Sequence, residues 1–268
     1  MKINSNPKLG EKILIVIGGL FIAGIVAGIL GTVTGMASLV SYPILLATGL
    51  SPIVANVTNT AALIFSGLGA TVSSRQELKY NKRDLLWILP TAAVGSIIGC
   101  ILLLAFPSGI FEKIAPFMIG IVAIFFIVQP HLKAQAVVGS LDNNPSVKKS
   151  FWSLLAILVI GAYGGYFGAA SGIFMLLVFS ATQGIRLTTA NALKNVTMGL
   201  TNLIATGIFI FFGHIDWRAA IFMGAGFIIG GYVGPIIARR LPEKILRWII
   251  IIGALLLAAD MFYSAYLK

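Results

Sequence analysis

Long apolar stretches separated by short polar ones follow one another along most of the chain. A helix rises about 1.5 Å per residue, so most of these stretches are long enough to cross a hydrocarbon core of about 30 Å. The ten apolar segments are Ile13–Leu30, Met36–Leu50, Ile53–Val72, Leu85–Phe106, Ile114–Val128, Phe151–Phe167, Ile173–Thr182, Ala190–Phe212, Ala219–Ala238 and Ile245–Tyr266. The pattern predicts an all-α integral membrane protein with about 8–10 transmembrane or re-entrant helices.

Composition and charge agree with this prediction. Of the 268 residues, 58% are hydrophobic and 10% are charged, whereas a soluble domain carries roughly 25% charged residues. The net charge of +11 comes from basic residues gathered in loops, with no basic stripe carrying interleaved aromatic residues. We therefore expect the lipid bilayer, and no nucleic acid, as a partner. Apolar sequence continues well beyond any signal-peptide cleavage site, so we interpret the first segment as a transmembrane helix.

The chain divides into two halves joined by a polar linker. We assign 1–12 to an N-terminal tail, 13–130 to a first transmembrane repeat, 131–150 to a cytoplasmic linker and 151–268 to a second repeat. The two halves share ordered matches, which indicates an internal duplication. At an offset of 135 the matched pairs are Asn56 and Asn191, Gly95 and Gly230, Gly99 and Gly234, and Pro107 and Pro242; Gly31 and Gly35 match Gly168 and Gly172 with a slip of two residues.

Matched loops of the two halves differ in basic charge: where a loop in one half is rich in Lys and Arg, its counterpart in the other half is poor in them. The loop at 73–84 carries four Lys or Arg residues, but its counterpart around His214 carries only Arg218. The loop around Pro107 has only Lys113 nearby, whereas its counterpart at 239–247 has four. Inverted-topology repeats require this exchange. Because basic loops favour the cytoplasm, the halves are predicted to be inverted repeats with both termini outside the cell membrane.

The second segment of each half is too short for a straight span of about 20 residues. Both follow glycines, and the first contains a proline; the predicted helix-break residues are Gly31, Gly35, Pro43, Gly168 and Gly172. Short, interrupted segments at corresponding places in two halves are typical of a transporter site. The alternative is that these glycines only allow close helix packing.

Polar residues cluster just after the two short segments, and each needs a partner in hydrocarbon. Lys194 is the only Lys or Arg well inside an apolar segment. It is expected either to face a central anion or to extend along the helix to the headgroups. With Lys194 as the cation, the predicted substrate-binding residues are Asn56, Thr58, Asn59, Asn191, Lys194, Asn195 and Asn202.

Several chemistries are missing from the sequence. It contains no acid in the middle of a segment, no P-loop lysine motif, no HExxH motif and no Cys/His cluster. An ATP-driven pump, a zinc enzyme or a proton-coupled pump is therefore disfavoured, and we expect neither enzyme activity nor a cofactor. Facilitated diffusion of a small anion fits best. An anion channel with a continuous pore and a non-transport membrane assembly factor are the alternatives.

A resemblance to a known family is carried mainly by the second half. The run Ala190-Asn-Ala-Leu-Lys-Asn-Val, Gly213-His-Ile-Asp-Trp-Arg-Ala-Ala, Gly230-Gly-Tyr-Val-Gly and Ala238-Arg-Arg-Leu-Pro resembles the TauE/SafE sulfite exporters. That family is also called the toluene-sulfonate uptake permease family. The first half is similar through Gly31–Gly35, Pro43 and Ala55-Asn-Val-Thr-Asn59, although Gly31-Thr-Val-Thr-Gly35 is poorer in glycine than is usual there. The resemblance implies a permease for sulfite, an organosulfonate or a related anion. It leaves open which anion is carried, the direction of transport and the coupling ion. The sequence also leaves the oligomeric state open.

Overall fold

The described part of the chain is helical. The computed structural model describes residues 7–79, 81–107, 109–118, 120–121, 149–180, 185, 187–237 and the single positions 255, 259, 262, 263 and 266, and it contains no strand within them. The helices are α1 (Pro7–Thr34), α2 (Ser38–Ala47), α3 (Pro52–Ser73), α4 (Arg75–Lys79), α5 (Lys82–Ala105), α6 (Phe151–Tyr166), α7 (Ser171–Ser180), α8 (Leu187–Phe212) and α9 (Trp217–Ile237). Residues 109–118 are also helical.

Among the described residues, five helices are long and apolar enough to cross a membrane. These spans are Leu14–Thr34, Pro52–Ser73, Lys82–Ala105, Thr188–Phe212 and Trp217–Ile236. Large apolar side chains on their outer faces, such as Ile22, Ile101 and Ile221, are exposed, as expected for surfaces that contact lipid. The prediction of an all-α integral membrane protein is confirmed. Three predicted regions lie wholly or largely outside the described residues. They are most of the linker at 131–150, the part of the fifth segment beyond residue 121, and most of the tenth segment.

The two short segments form short helices, as predicted. Helices α2 and α7 have ten residues each, or about 15 Å, which is half of the hydrocarbon thickness. A glycine in the left-handed region lies before each of them: Gly35 has φ +85° and Gly168 has φ +73°. Because a side chain is strained in this conformation, glycine is the residue that allows the chain to leave α1 or α6 and start a new helix at once.

Glycine contacts bring helices from different halves together. A Cβ atom added at Gly28 of α1 would lie 3.1 Å from the backbone of Gly230 in α9. One added at Gly161 of α6 would lie 2.6 Å from the carbonyl oxygen of Ala92 in α5. The first helix of each half therefore packs backbone to backbone against the last fully described helix of the other half.

Helices α3 and α8 cross at the centre of this arrangement. The crossing point is a glycine pair, since a Cβ atom on Gly67 would lie 2.6 Å from Cα of Gly199. The two helix breaks also meet, because a Cβ atom on Gly35 would lie 2.5 Å from the carbonyl carbon of Gly172. The chain segments that interrupt α1–α2 and α6–α7 are thus held side by side, next to the α3–α8 crossing.

Candidate functional site

Lys194 is buried in the centre of the molecule. Its side chain in α8 is 1% exposed, and its Nζ donates to the carbonyl oxygens of Gly31 and Thr32, each at 3.1 Å. These carbonyls belong to the last turn of α1, where a helix carries partial negative charge. The Gly31 carbonyl oxygen also accepts from the backbone N–H of Gly35 at 2.7 Å. The alternative in which Lys194 extends to the headgroups is therefore wrong: the ammonium caps a helix end in the other half of the chain.

A cavity of about 60 Å³ adjoins this ammonium. That volume is large enough for a few waters or a small ion, since one water needs roughly 10–15 Å³ by a comparable measure. Backbone of the two helix breaks and of the α3–α8 crossing forms much of its wall. The polar residues that line it are Thr32, Ser38, Thr60, Ser66, Ser171, Asn195 and Asn202, in addition to Lys194.

Asn195 and Ser38 each keep a hydrogen-bond donor available among the described residues. Asn195 is 5% exposed, and its Nδ2 has no hydrogen-bond partner within the described residues. The Ser38 hydroxyl accepts a hydrogen bond from Nδ2 of Asn59 at 3.1 Å, which leaves its own proton for another acceptor. A buried donor without a partner is costly. The cavity is therefore suited to a ligand that offers oxygen acceptors.

Helix N-termini add to the electrostatics of the cavity. Ser38 and Ser171 are the first residues of α2 and α7, and both line it. The amides at a helix N-terminus carry partial positive charge and favour anions. Of the predicted helix-break residues, Gly31, Gly35, Gly168 and Gly172 line the cavity. Pro43 lies inside α2 without breaking it and does not line the cavity.

The other predicted binding residues lie in the surrounding shell. Asn56 donates from Nδ2 to the carbonyl oxygen of Tyr166 at 3.0 Å, so it caps the end of α6. The Thr58 hydroxyl accepts from the backbone N–H of Asp216 at 3.0 Å, at the start of α9.

Asn59 and Asn191 complete the predicted set. Asn59 joins α3 to α2 through Ser38 and Ser41. Asn191 does not line the cavity, and its Oδ1 is buried without a partner among the described residues. Of the seven predicted residues, the structure brings Lys194, Asn195 and Asn202 to the cavity; the binding role of all seven stays a prediction.

Three serines that line the cavity were not among the binding residues predicted from the sequence. Ser38 and Ser171 follow the helix breaks by three residues each, at Gly35 and Gly168, and this matched spacing is a signal that sequence reasoning could have used. Ser66 lies one residue before the crossing glycine Gly67. Serine is common in transmembrane helices as a packing residue, so Ser66 carries no comparable signal.

Comparison with known proteins agrees on the class of this chain. A family model described as sulfite exporter TauE/SafE matches residues 20–261. A "probable membrane transporter protein" of Haemophilus influenzae is 29% identical over 245 residues, covering 91% of this chain and 94% of the relative.

Two further relatives carry similar names. "Probable membrane transporter protein ORF9" of a Sinorhizobium species is 28% identical, with 89% of each chain covered. "Probable membrane transporter protein YfcA" of Escherichia coli K12 is 25% identical, with 94% of this chain and 91% of the relative covered. No solved structure gives a significant match. The chain is a multi-pass membrane transporter and belongs to the TauE/SafE sulfite exporter family.

Proposed function

We propose that this protein is a permease that carries a small anion across the cytoplasmic membrane, and that the cavity beside Lys194 is its binding site. The observation that supports this most directly is that Lys194 and Asn195 line one cavity, and that Nδ2 of Asn195 has no partner among the described residues. The family name makes sulfite the first candidate substrate.

The electrostatics of Lys194 favour an anionic ligand. An ammonium at the centre of a bilayer costs about 3 kcal/mol even on lenient insertion scales. The carbonyls of Gly31 and Thr32 use two of its three N–H donors. Among the described residues that line the cavity, Lys194 is the one charged side chain. A bound anion would balance this charge and would accept the third N–H.

Inverted repeats would place this site between two equivalent bodies. The packing of α1 on α9 resembles that of α6 on α5. Gly24 of α1 approaches Gly226 of α9. Gly161 of α6, which is the counterpart of Gly24, approaches Ala92 of α5. Lys194 caps α1 across the halves, and Asn56 caps α6 in the opposite sense. These reciprocal contacts support a pseudo-two-fold relation, with the cavity opening to each side in turn.

Anion uptake into proteoliposomes tests the role of Lys194. Lys194→Met keeps most of the stem but removes the charge, so uptake of labelled sulfite should fall at least about tenfold, the loss expected for one charged hydrogen bond. Lys194→Arg retains a cation and should keep partial activity. The wild type should show saturable flux, whereas flux that stays linear with concentration would indicate a channel. Unchanged affinity and rate in Lys194→Met would refute an anion site at this position.

A further inference from the structure

The balance of charge around the cavity bears on which charge state of an anion it accepts. Lys194, the one cation among the described residues that line the cavity, already contributes two N–H donors to the carbonyls at the end of α1. That helix end carries a fraction of an electron's negative charge. The positive charge left for a ligand is therefore below one unit.

The remaining donors bind oxygen without neutralising charge. Neutral side chains of Asn195, Ser38, Ser66 and Asn202 line the cavity, and the Ser38 hydroxyl keeps its proton available. The Thr60 hydroxyl, in contrast, donates to the carbonyl oxygen of Asn56 at 2.9 Å. Neutral donors orient an oxyanion but leave its charge as it is. The partial charges at the starts of α2 and α7 are too small to balance a second full negative charge.

From this balance we infer that the cavity selects singly charged oxyanions over doubly charged ones of the same shape. A monoanion forms a nearly neutral pair with Lys194. A dianion leaves about one negative charge uncompensated in a site that is surrounded by buried apolar helices, and an uncompensated buried charge is strongly unfavourable. This inference rests on the proposed function, because it describes the charge selectivity of the same site.

Methanesulfonate and sulfate provide a matched test, since they are similar in size but carry one and two charges. Titration calorimetry on the full-length protein in detergent should show methanesulfonate binding at least about tenfold more tightly than sulfate, the ratio that corresponds to about 1.4 kcal/mol. Equal or tighter binding of sulfate would overturn the inference but leave the anion site standing. If sulfite, methanesulfonate and sulfate all fail to bind, the proposed function itself fails.

Sulfite extends the test, because it changes from monoanion to dianion near neutral pH. Above that transition its apparent affinity should fall by about tenfold per pH unit, following the monoanion fraction. Methanesulfonate keeps one charge throughout and corrects for any titration of the protein. A sulfite affinity that does not fall relative to methanesulfonate would contradict the inference.

A gain-of-charge variant examines the cause of the selectivity. Asn202 lines the cavity and is only partly buried, so Asn202→Lys adds a second cation there. Sulfate affinity should rise relative to methanesulfonate by about tenfold or more, as expected for a new charged partner. A folded variant with an unchanged ratio would show that charge balance does not set the preference. Should the variant not fold, the wild-type comparison still decides.

Discussion

At the scale of single residues, buried polar side chains differ in whether their polar groups find partners among the described residues. Lys194, Asn56 and Thr58 connect elements that are far apart in the sequence. Asn195 is different because its amide nitrogen is buried and has no partner in the part of the chain that the structure describes. Sequence reasoning identified all four as unusual in an apolar segment. It could not separate them, because the partners of Lys194, Asn56 and Thr58 are backbone atoms more than 100 residues away.

Asn195→Leu should separate binding from stability. Leucine has nearly the same size and removes a buried donor that has no partner, so the thermal stability of the purified protein should be unchanged or higher. Anion affinity should fall about tenfold, as for one lost hydrogen bond of about 1.4 kcal/mol.

Asn56→Leu is the matched control for this substitution. It removes the hydrogen bond to Tyr166, leaves that carbonyl without the side-chain donor and should lower the melting temperature. Thermal unfolding and calorimetry on both variants give the measurement. A large loss of stability in Asn195→Leu, with affinity preserved, would make Asn195 a structural residue.

At the scale of elements, the positions of the helix breaks were the most predictable feature. The tertiary contacts around these breaks were the least predictable. Glycine placed the two short helices correctly, because Gly35 and Gly168 interrupt the helical chain with positive φ angles. Proline did not, because Pro43 lies inside α2 without breaking it. The contact of Gly35 with Gly172 is a tertiary feature that local sequence cannot show. The short helix α4 was also not predicted: its sequence, Arg75–Lys79, is polar and has none of the apolar periodicity that indicates a helix.

Gly35→Ala should be much more disruptive than Gly49→Ala. Both glycines have positive φ, at +85° and +91°, so both substitutions carry a conformational cost of about 1–2 kcal/mol. Among the described residues, a Cβ atom at Gly49 meets nothing within 4 Å, but one at Gly35 would collide with the backbone of Gly172. Melting temperature and anion uptake should fall far more for Gly35→Ala. Equal effects would show that the two helix breaks do not need their close contact.

At the scale of the whole molecule, the sequence predicted a helical membrane protein, and the structure and comparisons confirm it. The relation between the halves stays a prediction, supported by reciprocal contacts such as Gly28 with Gly230 and Gly161 with Ala92. Glycine spacing could indicate close packing, but it could not say which helix is the partner. The choice of partner helix depends on the three-dimensional arrangement of the helices. In that arrangement, the first helix of each half packs against the last fully described helix of the other half.

Cysteine labelling tests the inverted arrangement and its orientation. The chain has one cysteine, Cys100, which is buried, so Cys100→Ser gives a background for single cysteines at Gln76 and His214. Both positions are exposed, and they lie beyond the ends of α3 and α8, which are matched helices in the two halves.

A membrane-impermeant maleimide should reach the two sites from opposite sides. Because basic loops favour the cytoplasm, Gln76→Cys should label from the cytoplasmic side, in inside-out vesicles. His214→Cys should label from the outside, in intact spheroplasts. The Cys100→Ser background alone measures labelling that does not come from either introduced cysteine. Labelling of both sites from one face would contradict inverted topology. Opposite faces with the reverse assignment would preserve the inverted repeats and overturn the orientation derived from the basic loops.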